Sequence, residues 1–433
     1  MERNWSSNQK QPDTSLNASA DKPQSRISQG RRVKIVILVV ISVSLVLQGL
    51  AFPGKSSFLY PFRIFEDLSS NKYYNVLIFG TREHLSQRID FLEEVKGVWK
   101  AEFSCAKGTS VVLSVGKNKT DFMDKDAVVF NIDEPAVVQK IAMLVSMQPS
   151  PKQAWVYYGR ESAVRTRWLF KAYSGSLPLH GVWSYHRDAE VHTPYGYFVA
   201  KGPASNDSQS DTDRWLRGKS KLVAWIVRNC YNTFWPRTAY VENLRKHISI
   251  DIYGSCGPLV CPFQPRSDCV TILKQYKFYL ALESAECDDY ATEKLWETAY
   301  TNGIVPVVYG AQREFYAKEA PPDSFIFAGD FSSTKQLAEF LLHLDKNPIQ
   351  YAKYFDWRRK GRIEIPKLAD RSLHPEYFCP LVPFIAKVAG GNVAKKPLCE
   401  FPYYTSCVVL RGRDVRHRPG TRRRLRHWKP RNY

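Results

Sequence analysis

Short apolar runs alternate with helix-like stretches through the middle of the chain, and few folds accept that alternation. "YYNVLIFG" (Tyr73–Gly80), "AVVFNI" (Ala127–Ile132) and "AWVYYG" (Ala154–Gly159) each read as a buried strand, with a helix between them at Pro135–Met147. The polar stretch Lys201–Ser220 breaks the series and reads as a linker or surface loop. A second series follows. Strands are expected at Lys221–Asn229, Ser249–Gly254 and Lys277–Ser284, and a helix at Arg237–His247. Next come a helix at about Tyr290–Asn302, strands in "IVPVVYG" and "SFIFAGDF", and a helix at Ser333–Asn347 with Leu337, Phe340, Leu341 and Leu344 on one face. Strands separated by helices predict parallel sheets. The expected fold class is therefore α/β, with two Rossmann-like lobes whose ligands bind beyond the carboxyl ends of the strands. No G-x-G-x-x-G follows a strand and no G-x-x-x-x-G-K-[ST] occurs, which argues against dinucleotide oxidoreductases and P-loop enzymes.

The formal net charge of +20 is concentrated at the ends of the chain. Residues 411–433 carry +9 and residues 1–34 carry +4, leaving +7 for everything between. That mildly basic centre is weak ground for nucleic-acid binding, and no nucleic-acid partner is expected. Ile35–Phe52 is 18 residues long and apolar, the length of a short membrane-spanning helix. Arg31, Arg32 and Lys34 precede it, which orients the N-terminus to the cytosol. A cleaved signal peptide is the alternative, but the polar leader and the apolar run are both long for one. An uncleaved signal anchor is favoured, with the rest of the chain lumenal. All nine cysteines follow it, in an oxidising compartment. The odd number leaves at least one unpaired within the chain. Cys256 and Cys261, separated by four residues, are candidates for a small closed loop; a zinc site lacks paired C-x-x-C spacing. The lumenal sequons at Asn118 and Asn206 are candidate glycosylation sites. The predicted organisation is a cytosolic tail (1–34), an anchor (35–52), a stem (53–72), an acceptor-side lobe (73–200), a linker (201–218), a second lobe (219–400) and a basic tail (401–433).

One helix carries an oddly placed charge. In "CDDYATEKLWETAYTNGIVPVVYG" (Cys287–Gly310), Asp288 and Asp289 are the expected N-caps and Gly303 the expected C-terminal stop. Lys294 then falls in the second turn, near the positive end of the helix dipole. Backbone amides and an ammonium converging on one spot suit a phosphate. The ordinary alternative is a surface lysine offset by Asp288, Asp289 or Glu293, and spacing alone weighs the two about equally.

The stretch Tyr276–Phe327, with "KLVAWIVRNCYNTFWPRTAYVENL" and "IDIYGSCG" before it, resembles the signature block of the alpha-1,3-fucosyltransferases. The likeness runs throughout about 219–360 and in patches of the first lobe, notably Trp183–Phe198. It implies a GT-B fold, a type II Golgi membrane enzyme, and inverting transfer of L-fucose from GDP-fucose to the 3-hydroxyl of GlcNAc in a glycan. By the same resemblance Lys294 and Arg237 hold the diphosphate, and Tyr290 and Glu293 contact the nucleotide, Glu293 at the ribose. Glu161 is the expected catalytic base. No metal ligand and no divalent cofactor are implied, and Asp211-Thr-Asp213 reads as solvated linker. Fixed cations at the departing phosphate are chemically apt, because the developing charge lies there.

Several positions depart from the family pattern. Ala163 stands where the family has proline, and Ser284 where it has asparagine. Ser184–Glu190 keeps Arg187 and Asp188 but carries His186 and Glu190 in place of arginine and aspartate, and these residues are read as structural or donor-side contacts. The closing Cys-x-x-Cys is reduced to Cys379, with Cys399 or Cys407 as possible substitutes. These departures keep open an alternative: a catalytically weak homologue that binds glycan or GDP-fucose.

Overall fold

In the computed structural model, residues 72–80, 91–131, 135–148, 150–165, 174–201, 215–231, 233–260, 272–366 and 375–408 are described. All lie within the unit Leu68–Tyr433. The anchor, most of the linker, Asn206, Cys261, Cys269 and the basic end of the chain fall outside them. Among the described residues, no helix is long and apolar enough to cross a membrane.

The first sheet contains β1 (Lys72–Phe79), β2 (Glu93–Val95), β3 (Val98–Cys105), β4 (Thr109–Gly116), β5 (Ala127–Asn131) and β6 (Ala154–Gly159). After the short β7 (Pro178–Leu179), it adds β8 (Gly181–Ser184) and β9 (Val191–His192). The spatial order is β2-β3-β4-β1-β5-β6-β8-β9. From β4 to β9 every pairing is parallel, while β2 and β3 form an antiparallel flap at one edge. The sequence explains this difference. β5 and β6 are apolar and buried along their whole length, as strands covered on both faces must be. β3, "VWKAEFSC", alternates exposed and half-buried positions, as an edge strand with one wet face does.

β10 (Tyr197–Ala200) pairs antiparallel with β16 (Gly361–Glu364). Between them lies the second sheet: β11 (Lys221–Ile226), β12 (Ile250–Tyr253), β13 (Tyr276–Leu282), β14 (Val305–Tyr309) and β15 (Ile326–Phe327). All its pairings are parallel, in the order β12-β11-β13-β14-β15. The order reverses between β11 and β13, and the crevice at such a switch point is where doubly wound sheets bind ligands. The helix Thr334–Lys346 covers this sheet. Ser333 caps it by accepting the Gln336 amide at 3.2 Å, and Leu337, Ala338, Leu341 and Leu344 are buried. The two α/β series therefore fold as the pattern predicts, with element ends within a few residues.

The lobe boundaries differ from the expectation. Residues 375–408 return to the first sheet instead of completing the second lobe. Tyr377, Phe378, Leu381, Phe384, Ile385 and Val388 join the apolar cluster on one face, with Val76, Val129 and Val156. Leu398, Phe401, Tyr403 and Cys407 join the cluster on the other face, with Phe130, Trp155 and Tyr157. Both faces of a parallel sheet need cover, and this late segment (a short strand, β17 (Lys396–Pro397), included) supplies it. Residues 401–408 thus belong to the folded lobe and not to the tail.

Three disulfides form among the described cysteines: Cys105–Cys379, Cys230–Cys256 and Cys287–Cys407. Cys256 therefore pairs with Cys230 rather than closing a loop with Cys261. Cys407 pairs with Cys287 and Cys379 with Cys105, while Cys399 is free and exposed.

Candidate active site

The loop Glu283–Glu293 leaves the carboxyl end of β13, crosses to the first lobe and returns as the helical turn Lys294–Tyr300, wound as a π-helix. This corrects the expected helix at Tyr290–Asn302. Asp288 and Asp289 do not cap it. Asp289 adopts a left-handed conformation (φ 59°) that turns the chain, and Glu293 occupies the N-cap. The carboxylates expected as caps are engaged elsewhere: Asp288 accepts from Gln312, and Asp289 from Arg187. Gly303 does end the segment as expected, at φ 62°.

Lys294 consequently stands at the first helical position, and its ammonium contacts three oxygens. These are Glu283 Oε2 at 3.0 Å, Thr292 Oγ1 at 2.7 Å and Glu293 Oε1 at 3.1 Å. Burial alone lowers the pKa of an amine. Here Glu283 and Glu293 outweigh burial and hold the Lys294 pKa above its ordinary value. Glu283 is 1% exposed, and its carboxylate also accepts the Thr292 amide and hydroxyl, each at 2.8 Å. The close approach of β14 depends on Gly310 (φ 142°), where a Cβ would lie 2.5 Å from Glu283 Cβ. Glu293 is half-exposed at the rim.

Arg237 opens the helix Arg237–Leu244 and bridges the two strands at the switch point. Its Nη1 donates to Leu282 O at 2.9 Å, the end of β13, and its Nη2 to Asn229 O at 2.8 Å, beyond β11. The guanidinium is 2% exposed, its Nε has no partner, and burial lowers its pKa against the opposing field of Glu283. Both expected phosphate cations therefore stand where the strand order reverses.

Glu161 follows the carboxyl end of β6 in the first lobe. Its Oε2 accepts from the Tyr290 hydroxyl at 3.3 Å, and its carbonyl from the Tyr403 hydroxyl at 2.7 Å. Tyr290, a nucleotide contact by resemblance, is 3% exposed and lies in the apolar cluster of the first lobe. Burial, with Glu161 adding to it, raises its phenol pKa well above the ordinary value. Around Glu161 the Ser162 hydroxyl, the Tyr185 hydroxyl and Arg160 Nη2 are buried without partners. Ala163 is fully buried, and Ser284, half-buried, spends its carbonyl on the Phe234 amide at 2.8 Å.

The first lobe also grips the crossing loop through Arg187, whose Nε lies 3.0 Å from both Asp289 oxygens and whose amide donates at 2.9 Å. Burial alone raises an aspartate pKa, but the Arg187 bonds prevail and depress that of Asp289. Glu190 accepts the Val182 amide at 2.8 Å, a structural contact. Among the candidate sites, Lys294, Arg237 and Glu293 lie together beyond the strand ends of the second sheet, and Tyr290, in the loop before them, donates to Glu161. Asn118 is exposed, away from it, with its amide bonded to Asp121 at 2.8 Å. Glu283, Thr292 and the Arg187–Asp289 pair were not marked as site residues by spacing. Glu283 follows the end of β13 and Lys294 comes after an irregular loop, so no single helical or strand period runs from one to the other.

Residues 216–392 match the family described as "Glycosyltransferase family 10 (fucosyltransferase) C-term". The chain is 37% identical over 222 residues to alpha-(1,3)-fucosyltransferase fut-1 of Caenorhabditis elegans, covering 50% of this chain and 48% of the relative. It is 35% identical over 237 residues to alpha-(1,3)-fucosyltransferase 4 of Homo sapiens, covering 55% and 44%. With a 4-alpha-L-fucosyltransferase of Bos taurus, FUT3, it shares 37% identity over 246 residues, covering 57% and 64%. The chain thus spans about half to two thirds of the length of the curated relatives it matches. A solved alpha1,3-fucosyltransferase structure aligns at 14% identity and a TM-score of 0.40, over 75% of this chain and 92% of that one, too loose a likeness to carry a conclusion. Over residues 216–392 the chain is similar to glycosyltransferase family 10, the fucosyltransferases.

Proposed function

We propose that the protein transfers L-fucose, with inversion, from GDP-fucose to the 3-hydroxyl of GlcNAc in a glycoprotein or glycolipid glycan. The observation that carries this reading is the pairing of two strand ends. Glu161 at the end of β6 accepts from Tyr290, which lies in the loop that runs from the end of β13 to Lys294, and Arg237 donates to Leu282 O at that same strand end. In this reading Glu161 takes the proton of the acceptor hydroxyl. The freed oxygen attacks the anomeric carbon of fucose from the face opposite the nucleotide, and the bond to the β-phosphate breaks. Lys294 and Arg237 stabilise the charge left on GDP, Arg237 by its positive field from a buried position at the switch point. Glu293, at the rim, takes the ribose hydroxyls. The cations do the work a divalent metal does elsewhere, so activity should survive EDTA. The chain acts as a type II Golgi membrane protein with its lobes lumenal and Asn118 and Asn206 glycosylated. The basic flank of Ile35–Phe52 and the disulfides support that location.

The test is to supply the full-length chain with GDP-fucose and a panel of N-glycan and LacNAc acceptors, and to look for a fucose mass increment. Glu161→Gln and Lys294→Ala should each lower kcat/KM by about 100-fold or more. GDP-fucose binding without transfer to any acceptor would instead mark a binding homologue.

A further inference from the structure

Glu283 is the most deeply buried charge of the crevice, and nothing above assigns it a part in the reaction. Three donors converge on its carboxylate: the Thr292 amide, the Thr292 hydroxyl and the Lys294 ammonium. The Thr292 hydroxyl also accepts from Lys294 at 2.7 Å, so lysine, threonine and glutamate close a ring of hydrogen bonds. Two strands fix Glu283 itself. Its amide donates to Tyr309 O at 2.9 Å, and Gly310 leaves room for its side chain. Arg237 also feels this carboxylate. A buried, unpaired carboxylate is costly, and its place in the sheet makes it a fixed point from which a flexible lysine can be aimed.

We infer that Glu283 is a positioning residue, whose buried carboxylate, with Thr292, holds the Lys294 ammonium at the crevice so that it meets a nucleoside diphosphate already oriented and charged. The inference rests on the donor reading of the preceding section. It has a consequence that a purely structural glutamate lacks. The groups facing Lys294 are Glu283 from the end of β13, Glu293 from the N-cap and Arg237 from its helix, with the phenols of Tyr195, Tyr279 and Tyr316. Remove Glu283, and burial and Arg237 both push the ammonium toward neutrality. Half-exposed Glu293 opposes them.

The experiment is a calorimetric titration of GDP into the full-length chain from about pH 7 to about pH 10. Unsubstituted protein, Glu283→Gln and Thr292→Val are run side by side, so that the ligand's own ionisation cancels. Glu283→Gln should lose GDP affinity on an alkaline limb inside this range, where the unsubstituted protein keeps its affinity. Thr292→Val should move the limb in the same direction by less. If both variants follow the pH dependence of the unsubstituted protein, the inference is overturned, whatever their affinity at neutral pH. If Glu283→Gln does not fold, judged by its thermal transition, the Thr292→Val limb decides alone. Failure of the unsubstituted protein to bind GDP at any pH overturns the donor reading itself, and this inference with it.

Discussion

At the residue scale, the candidate site is built by satisfying buried polar groups, and each partner has a measurable role. Tyr290 illustrates this. Its hydroxyl donates to Glu161, so Tyr290→Phe should lower kcat/KM about three- to tenfold, the worth of one hydrogen bond, while the Kd for GDP stays unchanged. A matching rise in the Kd for GDP would return Tyr290 to the nucleotide side. Gly310 bears on Glu283 by sterics alone. A Cβ there meets Glu283 Cβ at 2.5 Å and Cγ at 2.8 Å, on a backbone with φ 142°. Gly310→Ala should destabilise the fold by about 1–3 kcal/mol, read as a lower Tm.

At the element scale, one crossing loop serves both lobes. It begins at Glu283 and ends at Lys294, and three ties hold it to the first lobe: Cys287–Cys407, Asp289–Arg187 and Tyr290–Glu161. The Arg187–Asp289 tie has a defined pH dependence. The folded-state pKa of Asp289 is depressed, so the tie contributes stability above the unfolded aspartate pKa of about 3.9 and loses it as pH falls through the lower folded value. Arg187→Ala should cost about 1–2 kcal/mol at neutral pH, because the Arg187 amide still bonds Asp289. The same variant should show a shallower fall of Tm below about pH 4, since the group that acid would neutralise no longer has its partner. A Tm–pH curve parallel to that of the unsubstituted protein would refute this account.

At the scale of the whole molecule, the chain ends its described course where it began. Residues 375–408 cover both faces of the first sheet, and Cys105–Cys379 fastens them across 274 positions of sequence. Cross-linking so distant a pair removes much of the freedom of the unfolded chain. Replacing both cysteines by serine should lower stability by about 2–5 kcal/mol, measured by denaturant unfolding under non-reducing conditions. The cost should fall on the first lobe, where the segment packs.

The sequence by itself determined what local chemistry can specify: strands, helices, their alternation, and hence two largely parallel sheets. Apolar runs and caps report on neighbours a few residues away, so the helix Thr334–Lys346 was legible nearly to the residue. Lys294, Arg237 and Glu161 enter as candidates through the family resemblance, Arg237 and Glu161 through it alone. Only the tertiary structure decided which groups they face. It set Glu283 against Lys294, Tyr290 against Glu161 and Asp289 against Arg187, bringing together residues from different elements. It moved the helix start to Glu293, because a left-handed turn at Asp289 and two distant partners claimed the carboxylates expected as caps. It also returned residues 375–408 to the first lobe, because a parallel sheet must bury both faces and the nearer sequence covers only part of them. Local propensity carries no record of such demands; they arise only once the sheets are formed and their surfaces must be covered.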